Sequence, residues 1–277
     1  MLGYDLRRLQ KTHVHTVTPA WHYPHDTGFD GFETIIPRPV THFDIVFRSC
    51  TGVEISGQDR KRLLEQPKSE VMIRCLNSLI KSTDIAISRG VDIPIRLVVV
   101  DDHTDEPFIT QIKTLLDEAP CETKFIALDT TGNKASVGEA YKWARENSKD
   151  VIYFVEDDYL HEPNAVFEII RSYERLAAVL DQDLTLFPAD MPERYRHIEK
   201  TQAFLGSHRH WRTISNTTFT SITSIEILKE QVYEKVPCLS PVPGLAVHCQ
   251  QTDEISPFND WRQWWADAKT DLNRSPG

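Results

Sequence analysis

Two acidic pairs carry the chemistry most visible in this chain. Asp101-Asp102 follows directly on the apolar run Ile95-Arg96-Leu97-Val98-Val99-Val100, and Asp157-Asp158 follows Val151-Ile152-Tyr153-Phe154-Val155, with Glu156 between. Adjacent carboxylates repel and raise one another's pKa unless a cation or hydrogen-bond donors compensate. A hard divalent ion, Mg2+ or Mn2+, is the natural compensation: it takes one or two carboxylates and completes its shell with phosphate oxygens and water. Two acidic pairs at strand ends therefore point to binding of an anionic, phosphate-bearing ligand through a metal.

The elements that must position these pairs alternate along the chain. Phe43 to Phe47 reads as a strand, and Ser69 is placed to cap a helix whose Val71, Cys75, Leu76, Leu79 and Ile80 share one face. The β-branched run to Val100 is the pattern of a parallel strand buried on both faces. A helix starting near Pro107, a short strand from Lys124 to Leu128, and a capping box at Ser136-Val-Gly-Glu139 opening another helix continue the series. After the strand at Val151 to Val155, Pro163 suits the first position of a long helix. Beyond residue 184 a strand at Leu184 to Pro188, a basic and His-rich stretch from Arg194 to Arg212, in which His208-Arg209-His210 reads as a solvated loop rather than a phosphate contact, a polar Thr/Ser run and a helix from about Ser224 to Val232 are expected. Alternating strands and helices predict an α/β fold with a doubly wound, mostly parallel sheet that binds ligands at the carboxyl ends of its strands. Both acidic pairs then lie on one rim.

Composition narrows the classes. The chain has 277 residues, 40% hydrophobic and 26% charged, with 11 Gly and 16 Pro, a globular profile. At about 150 residues per domain, this allows one large domain or two small ones. Lys plus Arg is 31 against 41 Asp plus Glu, a net charge of −10, which argues against a nucleic-acid partner. The five cysteines are widely spaced with no CxxC, so they predict reduced thiols. No apolar leader region opens the chain, and no run approaches the ~18 apolar residues that span a bilayer, so the expectation is a cytoplasmic protein with at most peripheral membrane contact. Residues 1–41, which hold His13, His15, His22 and His25, are expected as an arm; 42–235 as the core; and 236–277 as a closing segment, where Trp261, Trp264 and Trp265 form a docking stripe.

The order Asp44-Ile-Val-Phe-Arg-Ser49, Leu97-Val-Val-Val-Asp-Asp-His-Thr-Asp105, Gly132-Asn133 before a helix, and Phe154-Val-Glu-Asp-Asp-Tyr-Leu-His-Glu-Pro163 resembles the GT-A glycosyltransferases, in particular the family 2 enzymes. The resemblance covers about residues 43–232 and implies a GT-A type, Rossmann-like sheet flanked by helices. It implies that Arg48 and Ser49 border the nucleotide, with Asn133 nearby, and that Asp102, beside Asp101, accepts from the base. Asp158 would be the main metal ligand, with Asp157 beside it towards ribose or sugar. Glu156-Asp157-Asp158 is then a variant of the DxD motif. Many such enzymes add a late His to the metal shell, and Pro241-Val-Pro-Gly-Leu-Ala-Val-His248 offers His248.

The implied activity is transfer of a sugar from a nucleotide diphosphate sugar to a glycan or other hydroxyl acceptor in polysaccharide or glycan biosynthesis, with Mn2+ or Mg2+. The metal would neutralise the leaving diphosphate. An inverting course, favoured over a retaining one, needs a base on the opposite face of the sugar. The family's base position has no clean match here. Asp253 and Glu254 are the candidates, with Asp190 in reserve, and Asn216 and Thr217 fall on the acceptor side. Alternative readings are a sugar-phosphate nucleotidyltransferase, disfavoured without the Gly-rich phosphate cradle such enzymes place after the first strand, and a non-catalytic carbohydrate- or metal-binding module. A receiver-like signalling domain is disfavoured because its acidic pair should follow the first strand.

Overall fold

The computed structural model describes residues 37–51, 64–129, 131–196, 200–250, 255–256 and 258–269. The four strands expected to carry the site are present: β1 (Phe43–Ser49), β2 (Ile95–Asp101), β3 (Glu122–Ala127) and β4 (Val151–Glu156). They lie side by side in the order β3-β2-β1-β4, all parallel. The crossovers from β1 to β2 and β3 run one way and β4 lies on the other side of β1. The direction of winding thus reverses between β1 and β4.

Side-chain alternation shows why these runs are apolar throughout. Phe43, Ile45 and Phe47 of β1, with Leu97 and Val99 of β2, face a core shared with the helices α1 (Lys68–Ser88), α2 (Glu106–Asp117) and α4 (Ala165–Leu180). Val46, Val98, Val100, Ile152 and Phe154 face the opposite side, against α3 (Asn133–Asn147) and α6 (Ile225–Glu230). A period-2 strand buried on both faces has no polar side to display. The architecture is thus mixed α/β, a large and mostly parallel central sheet flanked by helices, as expected.

The remaining strands are β5 (Tyr159–His161), β6 (Thr185–Leu186), β7 (Ala203–Leu205), β8 (His210–Thr213), β9 (Ser221–Ser224), β10 (Cys238–Val242) and β11 (Ala246–His248). The sheet continues past β4 as β9-β6-β10-β8-β7, nine strands in all among the described residues, with β9 and β8 antiparallel to the rest. A separate two-stranded ribbon pairs β5 with β11, setting Tyr159 opposite His248.

Several expectations about local boundaries are corrected. Pro67, not Ser69, occupies the N-cap of α1, and Gly132, at φ 110°, is the N-cap of α3, which begins at Asn133, so Ser136 lies inside that helix. Its hydroxyl is taken up by Arg48 instead of capping. The long helix α4 begins at Ala165 after an Asn164 cap, leaving Pro163 in the turn. The strand expected over Leu184 to Pro188 shrinks to two residues. The polar Thr/Ser run ends in β9, buried in the middle of the sheet, where Ser224 donates to Asp183 and Thr220, just before the strand, donates to Glu156.

Arg209 is not in a solvated loop. It is paired with Glu162 and Glu168 and donates to the carbonyls of Pro243 and Gly244, next to the cis Val242-Pro243 bond, clamping the turn between β10 and β11. In the final helix α7 (Trp261–Asp267), which follows the short turn α5 (Glu193–Arg196) and α6 in the chain, Trp261, Trp264 and Trp265 pack on a cluster of Val71, Cys75, Leu160 and Val247, with Arg74 stacked over Trp265. The tail thus supports the β5-β11 ribbon from behind. No disulfide joins the five cysteines, all of which lie among the described residues, and no described helix is long and apolar enough to cross a membrane.

Candidate functional site

The two acidic pairs sit at the carboxyl ends of β2 and β4, either side of β1, but their surroundings differ. Asp101 is buried and accepts from the Ser49 hydroxyl at 2.6 Å and from the Thr104 backbone N–H at 3.1 Å. Asp102 accepts from the Gly132 backbone N–H at 2.9 Å and meets the His103 ring at 3.0 Å. Both carboxylates of this pair are thus engaged by hydrogen-bond donors and tie neighbouring segments to the sheet. Arg48, at the end of β1, likewise reaches across to α3, donating to Asn133 at 2.5 Å and Ser136 at 2.8 Å, while its guanidinium lies over Phe219. Arg48, Ser49, Asp101, Asp102 and Asn133 are thus brought together as one hydrogen-bonded floor.

The segment after β4 is arranged around His248. Asp158 accepts through Oδ2 from His248 Nε2 at 3.2 Å and from Gln250 Nε2 at 2.8 Å, and its carbonyl accepts from the Cys249 N–H at 2.8 Å. Its other oxygen, Oδ1, is buried with no hydrogen-bond partner among the described residues. His248 is stacked on Tyr159 with centroids 4.8 Å apart, and the Tyr159 hydroxyl meets Thr218 at 3.3 Å. Asp157 turns away, accepting from the Cys50 N–H at 3.0 Å with the Lys68 ammonium at 3.5 Å. Glu156 accepts from the Thr220 hydroxyl at 3.1 Å and faces Arg48 at 3.9 Å.

These contacts separate the acids electrostatically. Burial pushes Asp157 up to about 7, against the pull of Lys68 and with a further push from Asp158. Burial would raise Asp158 too, but His248 and Gln250 outweigh it and hold its carboxyl below the usual range. Burial also raises Glu156. Asp158 is thus the most firmly ionised member of the triplet and the one with an uncommitted oxygen. An orphaned buried carboxylate oxygen beside an imidazole suits a hard divalent ion, whose other ligands would be phosphate oxygens and water. Among the described residues no group of three or more His, Cys, Asp or Glu side chains is gathered for a cation, so the protein itself offers Asp158 and His248.

The position is chemically favourable on topology alone. In open α/β sheets ligands bind outside the carboxyl ends of strands where the winding reverses, and Asp157-Asp158 and Arg48-Ser49 flank that reversal.

The other expected residues fall as follows. Asp190 is buried and fully engaged, accepting from Arg212 at 2.7 Å through Oδ1 and from Tyr195 at 2.6 Å and Ser256 at 2.9 Å through Oδ2; burial still raises its pKa against these three. Asn216 accepts from Arg194 through its side chain and carbonyl, and Thr217 donates to the Thr218 carbonyl. Asp253 and Glu254, like His13, His15, His22 and His25, lie outside the described residues. Sequence reasoning missed Lys68, Gln250 and Tyr159. Gln250 was within reach, since residues two apart on an extended segment share a face and His248 was already singled out. Lys68 had no motif to announce it.

No protein-family model matches the chain, and no curated protein matches it. Solved structures that resemble it include S. aureus TarS 1-349, at 16% identity over 69% of this chain and 49% of that one, with a TM-score of 0.41. The mannosyltransferase PcManGT from Pyrobaculum calidifontis, in complex with GDP-Man and Mn2+, follows at 11% identity over 58% and 39%, with a TM-score of 0.38. The inositol-1-phosphate CTP transferase from T. maritima matches at 12% identity over 84% and 98%, with a TM-score of 0.43. The chain spans about half the length of the TarS fragment. At such TM-scores these likenesses carry no argument about activity, and the fold statement rests on the strand order itself.

Proposed function

We propose that this protein is a metal-dependent glycosyltransferase of the GT-A type, resembling family 2, that moves a sugar from a nucleotide diphosphate sugar to an acceptor hydroxyl in glycan or polysaccharide assembly. The observation that carries this reading is the environment of Asp158: ionised, one oxygen held by His248 and Gln250, the other buried and uncommitted, at the point where the sheet's winding reverses. Asp158 and His248 would hold Mn2+ or Mg2+, which neutralises the charge developing on a leaving diphosphate.

The chain's own residues have distinct parts in this reading. Lys68, beside Asp157, supplies a fixed positive charge at the same rim, suited to phosphate or to steadying Asp157. Arg48, Asn133 and Ser136 brace the end of β1 against α3, and Asp102 holds the loop at Gly132, giving the nucleotide a rigid floor. Because both oxygens of Asp190 are spent on Arg212, Tyr195 and Ser256, the proton of the acceptor hydroxyl falls to Asp253 or Glu254, with an inverting outcome. The arm at 1–41, core at 42–235 and closing segment at 236–277 are proposed as one working unit in the cytoplasm.

The test separates this reading from nucleotidyl transfer. The protein is incubated with Mn2+ and a panel of nucleotide diphosphate sugars, and in parallel with nucleoside triphosphates plus sugar 1-phosphates. Slow release of nucleoside diphosphate from a donor sugar supports the proposal. Pyrophosphate release from a triphosphate supports the nucleotidyltransferase, and neither product contradicts both.

A further inference from the structure

We infer that Tyr195 and Phe258 form an aromatic platform that binds a pyranose ring of the acceptor, an inference that rests on the proposed transferase reading and narrows its acceptor hydroxyl to that of a sugar.

Among the described residues three large hydrophobic side chains are exposed: Ile87 on α1, Tyr195 at 46% and Phe258 at 60%. The last two touch each other, with ring centroids 5.7 Å apart and planes inclined at 66°. They come from segments more than sixty positions apart in the chain, so their meeting is a product of the fold. Exposed apolar side chains that touch one another mark an interaction or ligand site more often than ones scattered singly do.

The Tyr195 ring is fixed rather than loose. Its hydroxyl donates to the buried Asp190 at 2.6 Å, and the Arg212 guanidinium, itself bonded to the other oxygen of Asp190, lies 4.5 Å from the ring centroid on one face. Phe258 is tied to the same carboxylate through Ser256, whose hydroxyl donates to Asp190 and accepts from the Phe258 N–H at 3.3 Å. Two exposed rings therefore hang on one buried carboxylate. Such pre-ordering lowers the entropy cost of binding. It also gives Asp190, whose oxygens leave no room for a base, a positioning role.

Two routes connect the platform's segments to the candidate site. Arg194, next to Tyr195, donates to Asn216 at 2.6 Å in the loop whose Thr218 meets Tyr159, the ring stacked on His248. On the other side Ala189, next to Asp190, bridges Ala246, two strand positions from His248, or about 7 Å at the usual rise per residue. The segments that carry the rings are thus joined to those that carry the candidate site.

The ligand class follows from surface chemistry. Aromatic faces carry negative charge density. A pyranose presents a face of axial C–H groups, slightly positive and apolar, with hydroxyls at its edges, and it covers one such ring. A lipid tail or an apolar helix would call for a broader apolar area than two rings set among Arg212, Asn216 and Asp190.

Saturation-transfer NMR with methyl β-D-glucoside, methyl β-D-galactoside and methyl N-acetyl-β-D-glucosaminide tests this, alongside calorimetric binding of UDP and GDP with Mn2+. At least one glycoside should receive saturation on its axial ring protons from the wild type. The signal should fall at least fivefold in Tyr195→Ala and in Phe258→Ala, and fall less in Tyr195→Phe, which keeps the ring but loses its tie to Asp190. Nucleotide binding should be unchanged in all three. Phe258→Ala removes an exposed ring and should fold even if Tyr195→Ala does not. Undiminished transfer in folded Phe258→Ala, or no transfer to any glycoside in the wild type, overturns the platform. Glycoside transfer without nucleotide binding would overturn the transferase reading while supporting the platform; nucleotide binding without glycoside transfer would do the reverse.

Discussion

Asp101-Asp102 and Asp157-Asp158 look alike in the chain and flank the same strand, yet the fold spends them differently. The first pair is occupied by the Ser49 hydroxyl at the end of β1, the Thr104 N–H and the Gly132 N–H at the start of α3, and serves as mortar between β1, β2 and α3. The second is addressed by a strand from ninety residues later, where His248 and Gln250 arrive on the β5-β11 ribbon, and one Asp158 oxygen is left over. An acidic pair after a buried strand therefore marks a rim, and only the donors that reach it decide whether it binds a ligand or holds the protein together.

This contrast can be broken by mutation. Asp158→Ala should weaken Mn2+-dependent binding of a nucleoside diphosphate by more than about 100-fold, beyond the range usual for outer-shell partners of a metal, with little change in denaturation midpoint. Asp101→Ala should do the opposite: a loss of about 2 kcal/mol in urea unfolding, because the Ser49 hydroxyl and the Thr104 N–H are left unsatisfied in the interior. Equal effects of the two substitutions on both measurements would erase the distinction. Gln250→Ala, which removes a single donor to Asp158, should cost about 10-fold in the same binding assay.

A smaller effect sharpens the comparison through the ribbon. His161 on β5 is buried against the Tyr153 hydroxyl at 2.7 Å, and burial lowers its pKa to about 3. The unfolded chain takes up the proton near pH 6.5 while the folded one does not, so His161 costs stability increasingly as pH falls from 6.5 towards 3. Between pH 6.5 and 5.5 this should amount to about 1 kcal/mol, and thermal melting of His161→Gln should show a shallower slope over that interval than the wild type. Identical slopes would remove His161 from the account.

How much was legible follows from the same physics. Strands β1, β2 and β4 could be read because burial on both faces leaves an unbroken apolar run, and Asp102, Asp157 and Asp158 could be placed because they end those runs. The strand β9 could not be read, since Ser221-Ile-Thr-Ser224 shows no apolar run, and the distant partner of Ser224, Asp183, is something no local pattern reveals. Arg209 was misjudged for the same reason: its charge looks solvated until Glu162 and Glu168, over forty residues earlier, fold against it. Lys68 reaches Asp157 only because a helix start is packed behind the rim. Contacts between segments far apart in sequence are what sequence pattern does not encode.

The central claim is that Asp158 and its late-strand partners form a metal-dependent nucleotide site. Calorimetric titration of UDP and GDP into the wild type and Asp158→Ala, with and without Mn2+, tests it most directly. The account predicts binding to the wild type that requires Mn2+ and is lost in Asp158→Ala. Metal-independent binding that survives in Asp158→Ala, or no binding of either nucleotide to the wild type, would contradict it.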